Sequence, residues 1–339
     1  MPLADTVAQS SDLPPSSKLA VIIPARNAAA TLAQSLDALF AQISADDEVI
    51  VVDDYSTDDT CEVAARFNVK LIKLPRHMGA SAARNRGAEL TRAPLLFFYD
   101  ADVVLAPGAL ARAKAIMARP EVGGLIGSYD DDPAAATTVS RFKNLAHHHF
   151  HQRSRVEATT FWGACGLLRR DLLVAAGGFD DDQRFIGDVE LGYRLAARGV
   201  RIVLDPALQV KHLKKWTLIS LVRTDVLVRA IPWTLLWLKH RRLPSDLNFA
   251  ADQRAAAMVA LALATAIAVA IFRYQAWLVV VLLLATAFWL NRDLYRLFFN
   301  KGGLWFAIKG FLLQQLYYLY SLFSVAIGVA IYFARSFTR

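Results

Sequence analysis

Three nearly uncharged apolar stretches close this sequence, at about 255–272, 276–291 and 308–333, and they divide the chain into two kinds of polymer. A helix that crosses a bilayer needs roughly 20 apolar residues. The middle stretch falls short of that, and only Arg273, Tyr274 and Gln275 separate it from the first. The pair therefore reads as a tight hairpin whose second arm barely crosses, giving two or three spans in all. Trp289, Trp305, Tyr317, Tyr318 and Tyr332 cluster toward the ends, as interface anchors do. Residues before about 215 carry charges throughout and are numerous enough to bury a full core. The 55% hydrophobic content thus belongs to a globular part followed by a membrane part.

The net charge of +8 is unevenly placed. Lys211, Lys214, Lys215, Arg223, Arg229, Lys239, Arg241 and Arg242 gather just ahead of the apolar stretches. Cations in that position face the cytoplasm and anionic lipid heads. With the globular part inside, the loop 292–301 (Arg292, Arg296, Lys301) also lies inside. The tail then leaves Arg335 and Arg339 outside, a mild violation of the rule. No recognised nucleic-acid module accompanies the basic cluster, which argues against a nucleic-acid partner. Two cysteines far apart, Cys61 and Cys165, with no CxxC pair, argue against a disulfide framework or a structural zinc site and suit a reducing compartment. The first 17 residues hold three prolines and lack both a basic n-region and an apolar h-region. They read as a disordered lead-in rather than a signal peptide.

From residue 19 the chain alternates short apolar runs with helical patterns. LAVII (19–23) leads to the loop PARN. Thr31 opens a helix, with Gln34 placed for a capping box. EVIVVD (48–53), Val69 to Leu74 and LLFFY (95–99) are the next strands, with helices over about 57–67 and 81–90 between them. Such alternation predicts βαβ units, a doubly wound, mostly parallel sheet, and a ligand crevice at the carboxyl ends of the strands. Residues 120–160 are less regular, and order returns with the strand RIVLD (201–205). WTLISLVRTDVLVRAIPWTLLWL (216–238) predicts one or two helices lying in the membrane interface, broken or kinked at Pro232. A buried helix of the globular part is the other reading.

Chemistry centres on Asp100-Ala101-Asp102, directly after the strand LLFFY. Paired carboxylates take hard cations such as Mg²⁺ or Mn²⁺, whose shells phosphate oxygens complete. A diphosphate held there becomes a stabilised leaving group. Alone, the pattern is also that of an ordinary turn. Four other places join it. Asp53-Asp54 ends a strand where a carboxylate accepts from a ribose or base, with Ser56 and Asp59 as competing helix caps. Arg84 and Asn85 follow Gly79 in MGASAARNRG, where glycine allows close backbone approach and arginine suits phosphate, and a solvated helix face is the plain alternative. Asp188 and Glu190 open a helix after Gly187; they cap it, and one aimed into a crevice acts as a general base. HLKKW (212–216) offers His212 as a third metal ligand and Lys215 as a diphosphate contact, or simply a basic surface cluster. The run His147, His148, His149 and His151 reads as an ordinary segment rather than a metal site, because consecutive residues rarely converge on one ion. Cys165 reads as core.

The ordered series PARN, VDDYSTD, GASAARNRG, YDAD, FWGACGLLRR, GDVELGYRL and HLKKW resembles family 2 glycosyltransferases of the GT-A fold, over about residues 18–216. That resemblance implies Asp102 as the main metal ligand, with Asp100 near the ribose or metal. It also implies that Asp54 binds the base or ribose, that Pro24, Ala25 and Asn27 line the nucleotide pocket, and that Arg84 stands near the base or diphosphate. Asp188 matches the aspartate of the family's Glu-Asp motif, the usual base of the inverting reaction. Gly187 stands where the glutamate is expected, and His-Leu-Lys-Lys-Trp where processive members carry Gln-x-x-Arg-Trp. With few spans, this resembles enzymes that glycosylate a membrane lipid, such as polyprenyl phosphate.

The expectation is therefore a metal-dependent, inverting hexosyltransferase using a UDP- or GDP-linked sugar. Its segments are a lead-in (1–17), a GT-A domain (18–215), interfacial helices (216–250) and a membrane region (251–339). It would sit multi-pass in the inner (plasma) membrane with its catalytic domain in the cytoplasm. A polysaccharide-extending transferase, a non-catalytic nucleotide-binding membrane scaffold and a nucleotidyltransferase are the alternatives.

Overall fold

The computed structural model describes residues 18–183, 185–240 and 250–337. The lead-in 1–17, Arg241, Arg242 and Arg339 lie outside the described residues. Contacts divide the chain into two units: Met1–Ser128 with Arg155–Leu213, and Tyr129–Ser154 with Lys214–Arg339.

The first unit is built on a mixed sheet. Its elements run β1 (Leu19–Ala25), α1 (Leu32–Phe40), β2 (Glu48–Asp53), α2 (Thr60–Ala64), β3 (Lys70–Lys73), α3 (Ala80–Glu89), β4 (Leu95–Tyr99), β5 (Val103–Leu105), α4 (Ala109–Met117) and β6 (Gly124–Tyr129). After α5 (Thr138–Arg153) come β7 (Glu157–Ala158), β8 (Cys165–Arg169), α6 (Arg170–Ala175), α7 (Gly187–Ala197) and β9 (Ile202–His212). The strand order is β3-β2-β1-β4-β8-β6-β9-β5, with β7 on β9. The βα alternation delivers its parallel half: β1 pairs in parallel with β2 and β4, and β2 with β3. Beyond β4 the sheet turns antiparallel: β8 runs antiparallel to both β4 and β6, and β5 antiparallel to β9. Every residue of β4 is buried, as a central strand covered on both faces requires.

The second unit is helical: α5, α8 (Leu218–Arg223), a π-helical segment (Thr224–Ala230), α9 (Ile231–His240), α10 (Ala251–Ala270), α11 (Trp277–Leu290) and α12 (Arg292–Phe337). It takes its first helix from inside the stretch read from sequence as one domain. The reason is apolar: Phe142, Leu145, Ala146 and Phe150 of α5 share a core with Trp216, Leu221, Leu294, Phe298 and Phe306. Pro232 does not break a helix. The αR backbone runs on through it, and the proline sits directly after the π segment Thr224–Ala230, the local widening by which a helix accommodates a disturbed hydrogen-bond ladder. The expected loop 292–301 is helical and part of α12, since Leu294, Tyr295 and Phe298 recur at helical spacing and bury together. Gly303 (φ 71°, ψ −174°) kinks α12. Two helices, Ala251–Ala270 and the long α12, are long and apolar enough to cross a membrane, and the helical stretch Tyr274–Leu290 is shorter. Ala256, Ala257 and Ala260 of α10 bury against Tyr318, whose hydroxyl lies 2.8 Å from Gln253 Oε1 and 2.9 Å from Asn291 Oδ1. Small residues and interhelical polar contacts of this kind join apolar helices.

Candidate active site

The site is assembled at the carboxyl ends of β1, β2 and β4. Pro24 and Ala25 end β1 in register with Val52 and Asp53, and the Asp54 N–H donates to the Ala25 carbonyl at 2.8 Å. Asn27 takes a positive φ of 50°. Its side-chain oxygen accepts from the Thr57 N–H (2.9 Å), and its own N–H donates to Ser56 Oγ (2.9 Å). Ser56 is thereby a loop fastener, and Asp58 rather than Asp59 accepts from the first N–H of α2 (3.1 Å). Tyr55 also has a positive φ, 62°, and an exposed ring. Two strained non-glycine residues side by side are a mark of a ligand site. Asp54 is buried, and its carboxylate accepts from the N–H groups of Met78 (2.7 Å) and Gly79 (2.8 Å) and pairs with His77 Nδ1 (2.7 Å). It fixes the loop that starts α3, and α3 carries Arg84.

The Asp100–Asp102 turn is held from several directions. Tyr99 buries its ring in the core, and its hydroxyl donates to the Val103 carbonyl (2.8 Å) while accepting from the Leu105 N–H (3.0 Å). Thr31 does not form the expected capping box; its hydroxyl reaches the Ala101 carbonyl at 3.0 Å. The Leu213 N–H donates to the Asp102 carbonyl (2.8 Å), and the Asp100 N–H to the Ala164 carbonyl (3.3 Å). Buried polar groups need partners, and here meeting that need pins the turn. Tyr99 and Thr31 escaped sequence reasoning because a strand-end tyrosine and a helix-start threonine each have an ordinary local explanation.

Arg84 Nη2 donates to Asp100 Oδ1 at 2.8 Å. A Cβ at Gly163 would stand 2.7 Å from the Arg84 guanidinium carbon, so a larger residue there would push that side chain from its present path to Asp100. The Gly163 N–H donates to Asp188 Oδ2 (3.0 Å), and Asp188 Oδ1 accepts from the Val189 N–H (2.9 Å). Burial, opposed by Arg84 and reinforced by the charges of Asp102 and Asp188, pushes the Asp100 carboxyl up to about 6. Three carboxylates therefore converge, with one arginine among them. His212, at the end of β9, brings Nε2 within 3.4 Å of Asp102 Oδ2. Glu190 is buried and held by both of its oxygens on Arg194, which leaves Asp188 as the carboxylate at the crevice. Gly187 has a steric cause: a Cβ there would meet Ser81 Oγ at 2.1 Å. Asn85, beside Arg84, clamps the loop before α7 by accepting from the Phe179 N–H and donating to the Phe179 carbonyl and Asp181, all at 2.8 Å.

Lys215 is exposed and belongs to the second unit. Among the described residues no three His, Cys, Asp or Glu side chains form a ready cluster for a metal ion. Asp100, Asp102 and His212 therefore do not make a closed protein site, and the histidine run does not either. His147 stacks on Tyr129 and His151, and burial, aided by Arg153, pushes His149 down to about 4. Cys165 is buried and free, and burial pushes its thiol up, as a core residue rather than a nucleophile.

Residues 20–175 match Glycosyl transferase family 2. The chain carries a glycosyltransferase family 2 domain. The family 2 domain is similar to validoxylamine A glucosyltransferase of Streptomyces hygroscopicus subsp. jinggangensis, at 32% identity over 224 residues, covering 55% of this chain and 53% of that protein. It is also similar to the succinoglycan biosynthesis protein ExoU of Rhizobium meliloti, at 37% over 99 residues, covering 27% and 28%. The match thus spans about half the length of the first relative. In fold it is similar to the mannosyltransferase PcManGT of Pyrobaculum calidifontis, solved with GDP-Man and Mn²⁺ (TM-score 0.54, 22% identity, 81% and 88% covered). TarS of S. aureus, solved with UDP-GlcNAc, is a second neighbour (TM-score 0.51, 18% identity, 66% and 66% covered). The GT-A-like, doubly wound α/β architecture is thereby established, with apolar C-terminal helices after it.

Proposed function

We propose that this protein is an inverting glycosyltransferase that moves a sugar from a nucleotide-sugar donor to a membrane lipid acceptor. The observation that carries this is the convergence of Asp100, Asp102 and Asp188, in which the charges of the last two both raise the first. Three carboxylates that outnumber the one arginine among them fit a hard divalent cation whose remaining ligands come from a diphosphate. Asp100 and Asp102, with His212 beside them, would hold Mg²⁺ or Mn²⁺. When bound, that ion neutralises the departing nucleoside diphosphate.

Pro24, Ala25, Asn27 and Asp54 shape the nucleotide side of the crevice, and Arg84 orients Asp100. Two backbone N–H groups aim the Asp188 carboxylate. In a single displacement the acceptor oxygen bonds to the anomeric carbon as the bond to the diphosphate breaks. The bonding electrons leave on the diphosphate, and the acceptor proton passes to Asp188. A lipid phosphate arrives already ionised, so for such an acceptor, polyprenyl phosphate included, Asp188 positions rather than deprotonates. The nucleotide-binding complexes of the two solved neighbours support the donor class, and the two long apolar helices support a membrane acceptor and a cytoplasmic-membrane location.

The test is transfer by the full chain in detergent. Asp102→Ala and Asp188→Asn each lower the turnover by at least about a thousandfold with the melting temperature retained. Full activity in both variants sinks the reading. Many sugars per acceptor, instead of one, marks the polysaccharide-extending alternative.

A further inference from the structure

The kink at Gly303 leaves an open, carbon-lined groove in the second unit, about 640 Å³ in volume, between the end of α11 and the two limbs of α12. Phe288, Trp289 and Phe299 line one side, and Leu304, Ile308 and Phe311 the other. Most of these side chains are exposed, with Phe288 at 54%, Trp289 at 64% and Leu304 at 61%. An apolar surface of that kind on an isolated protein calls for a partner.

Charge tells which partner. Arg292 and Arg296 also line the groove, one helical turn apart and therefore on one face. Both are exposed. Among the described residues neither has a carboxylate within ion-pair distance, since Asp293, the nearest in sequence, is held by Arg153 at 2.6 Å. The Arg292 guanidinium lies over the Trp289 ring, 4.6 Å from its centroid, and donates to the Trp289 carbonyl (3.2 Å), so it is already oriented at the mouth. One preset guanidinium group, with a second exposed one helical turn on, beside an apolar slot matches a phosphate carrying an acyl chain. Exposed Trp289 and Trp305 are what the headgroup level of a bilayer attracts.

We infer that this groove is a binding site for an anionic phospholipid of the bilayer, with its phosphodiester on Arg292 and Arg296 and one acyl chain along the aromatic wall. The inference rests on the membrane reading proposed above and adds a ligand site separate from the sugar chemistry. Basic residues at a membrane surface each strengthen attachment to anionic lipid about fivefold.

The test is native mass spectrometry of the full chain released from detergent with phosphatidylglycerol, phosphatidylethanolamine or a polyprenyl phosphate at equal concentration. Phosphatidylglycerol is expected to be retained over phosphatidylethanolamine, and Arg292→Gln/Arg296→Gln is expected to weaken that retention by about tenfold or more. Tryptophan quenching by phosphatidylglycerol with brominated chains is expected to diminish in Trp289→Phe, a change that leaves the arginines in place. Equal retention of the two phospholipids overturns the inference. So does undiminished retention by the double variant, a dimer whose formation excludes lipid, or selective displacement by polyprenyl phosphate. Should the double variant fail to fold, the quenching comparison alone decides. A chain that stays soluble without detergent overturns the membrane reading instead, and that outcome is read before any lipid is added.

Discussion

The side-chain amide of Asn85 takes the backbone of Phe179 from both sides and adds Asp181, so one residue on α3 fixes the loop that delivers Asp188. Phe179 in turn packs edge-on against Phe98 and lies under Arg84. Asn85→Ala is predicted to cost about 1–3 kcal/mol of stability through its lost hydrogen bonds. It is also predicted to lower kcat about tenfold or more while donor affinity stays within about twofold. Steady-state kinetics with a separate nucleotide-binding measurement checks this, and an equal loss of affinity and turnover contradicts the positioning role. The acidic residues of the candidate site stood out in the sequence only as an ordered set, since each alone has an ordinary use as a turn or helix cap. What Asn85, Tyr99 and Thr31 do could not be read there, because each acts on a partner 94, 4 or 70 residues away, and spacing in sequence carries no trace of such pairings. Gly187 reads as a departure from a motif until Ser81 is seen filling the space a side chain would need.

Among the elements, α5 and the π-helical segment are joined by an ion pair with little access to water. Lys143 Nζ lies 2.7 Å and 3.0 Å from the two Asp225 oxygens, with Arg229 and the Tyr320 hydroxyl also on that carboxylate. Burial pushes Lys143 down to about 8 against the pull of Asp225. For Asp225 burial acts upward, but Lys143, Arg229 and the hydrogen bonds outweigh it and hold the carboxyl below its ordinary value. A carboxyl lowered by folding contributes stability above the ordinary carboxylate range, and that contribution fades as pH falls through the folded value. Lys143→Met strips the main partner from a buried anion and is predicted to cost about 3–5 kcal/mol near pH 7. The gap from the wild type narrows as acid protonates Asp225. Chemical denaturation at neutral and acidic pH measures both, and a gap that widens in acid contradicts the assignment. The parallel strands could be read from sequence because each is a short apolar run between helix patterns. α5 could not: its apolar positions are diluted by Lys143, Asn144 and four histidines, and only the core it shares with α12 reveals its buried face.

For the molecule as a whole, the contrast between a charged α/β unit and an apolar helical unit was plain from hydropathy alone. What hydropathy concealed was that α12 continues through the stretch taken for a loop, since a helical segment with three cations looks like a connection until its buried face is counted. The chain is predicted to stay with the membrane pellet after alkaline carbonate extraction and to need detergent for release; recovery in the aqueous wash contradicts the membrane reading. The path of the backbone adds a consequence for biosynthesis. α5 belongs with helices that the ribosome makes much later: Phe142 precedes its core partner Leu294 by roughly 150 residues, and at 5–20 residues per second the delay is about 8–30 s. For much of that interval only Trp216 and Leu221 among its buried core partners have been made, so the nascent polypeptide carries a sticky helix that is incompletely covered, and an early docking place for α5, on lipid or on a chaperone, guards it against aggregation.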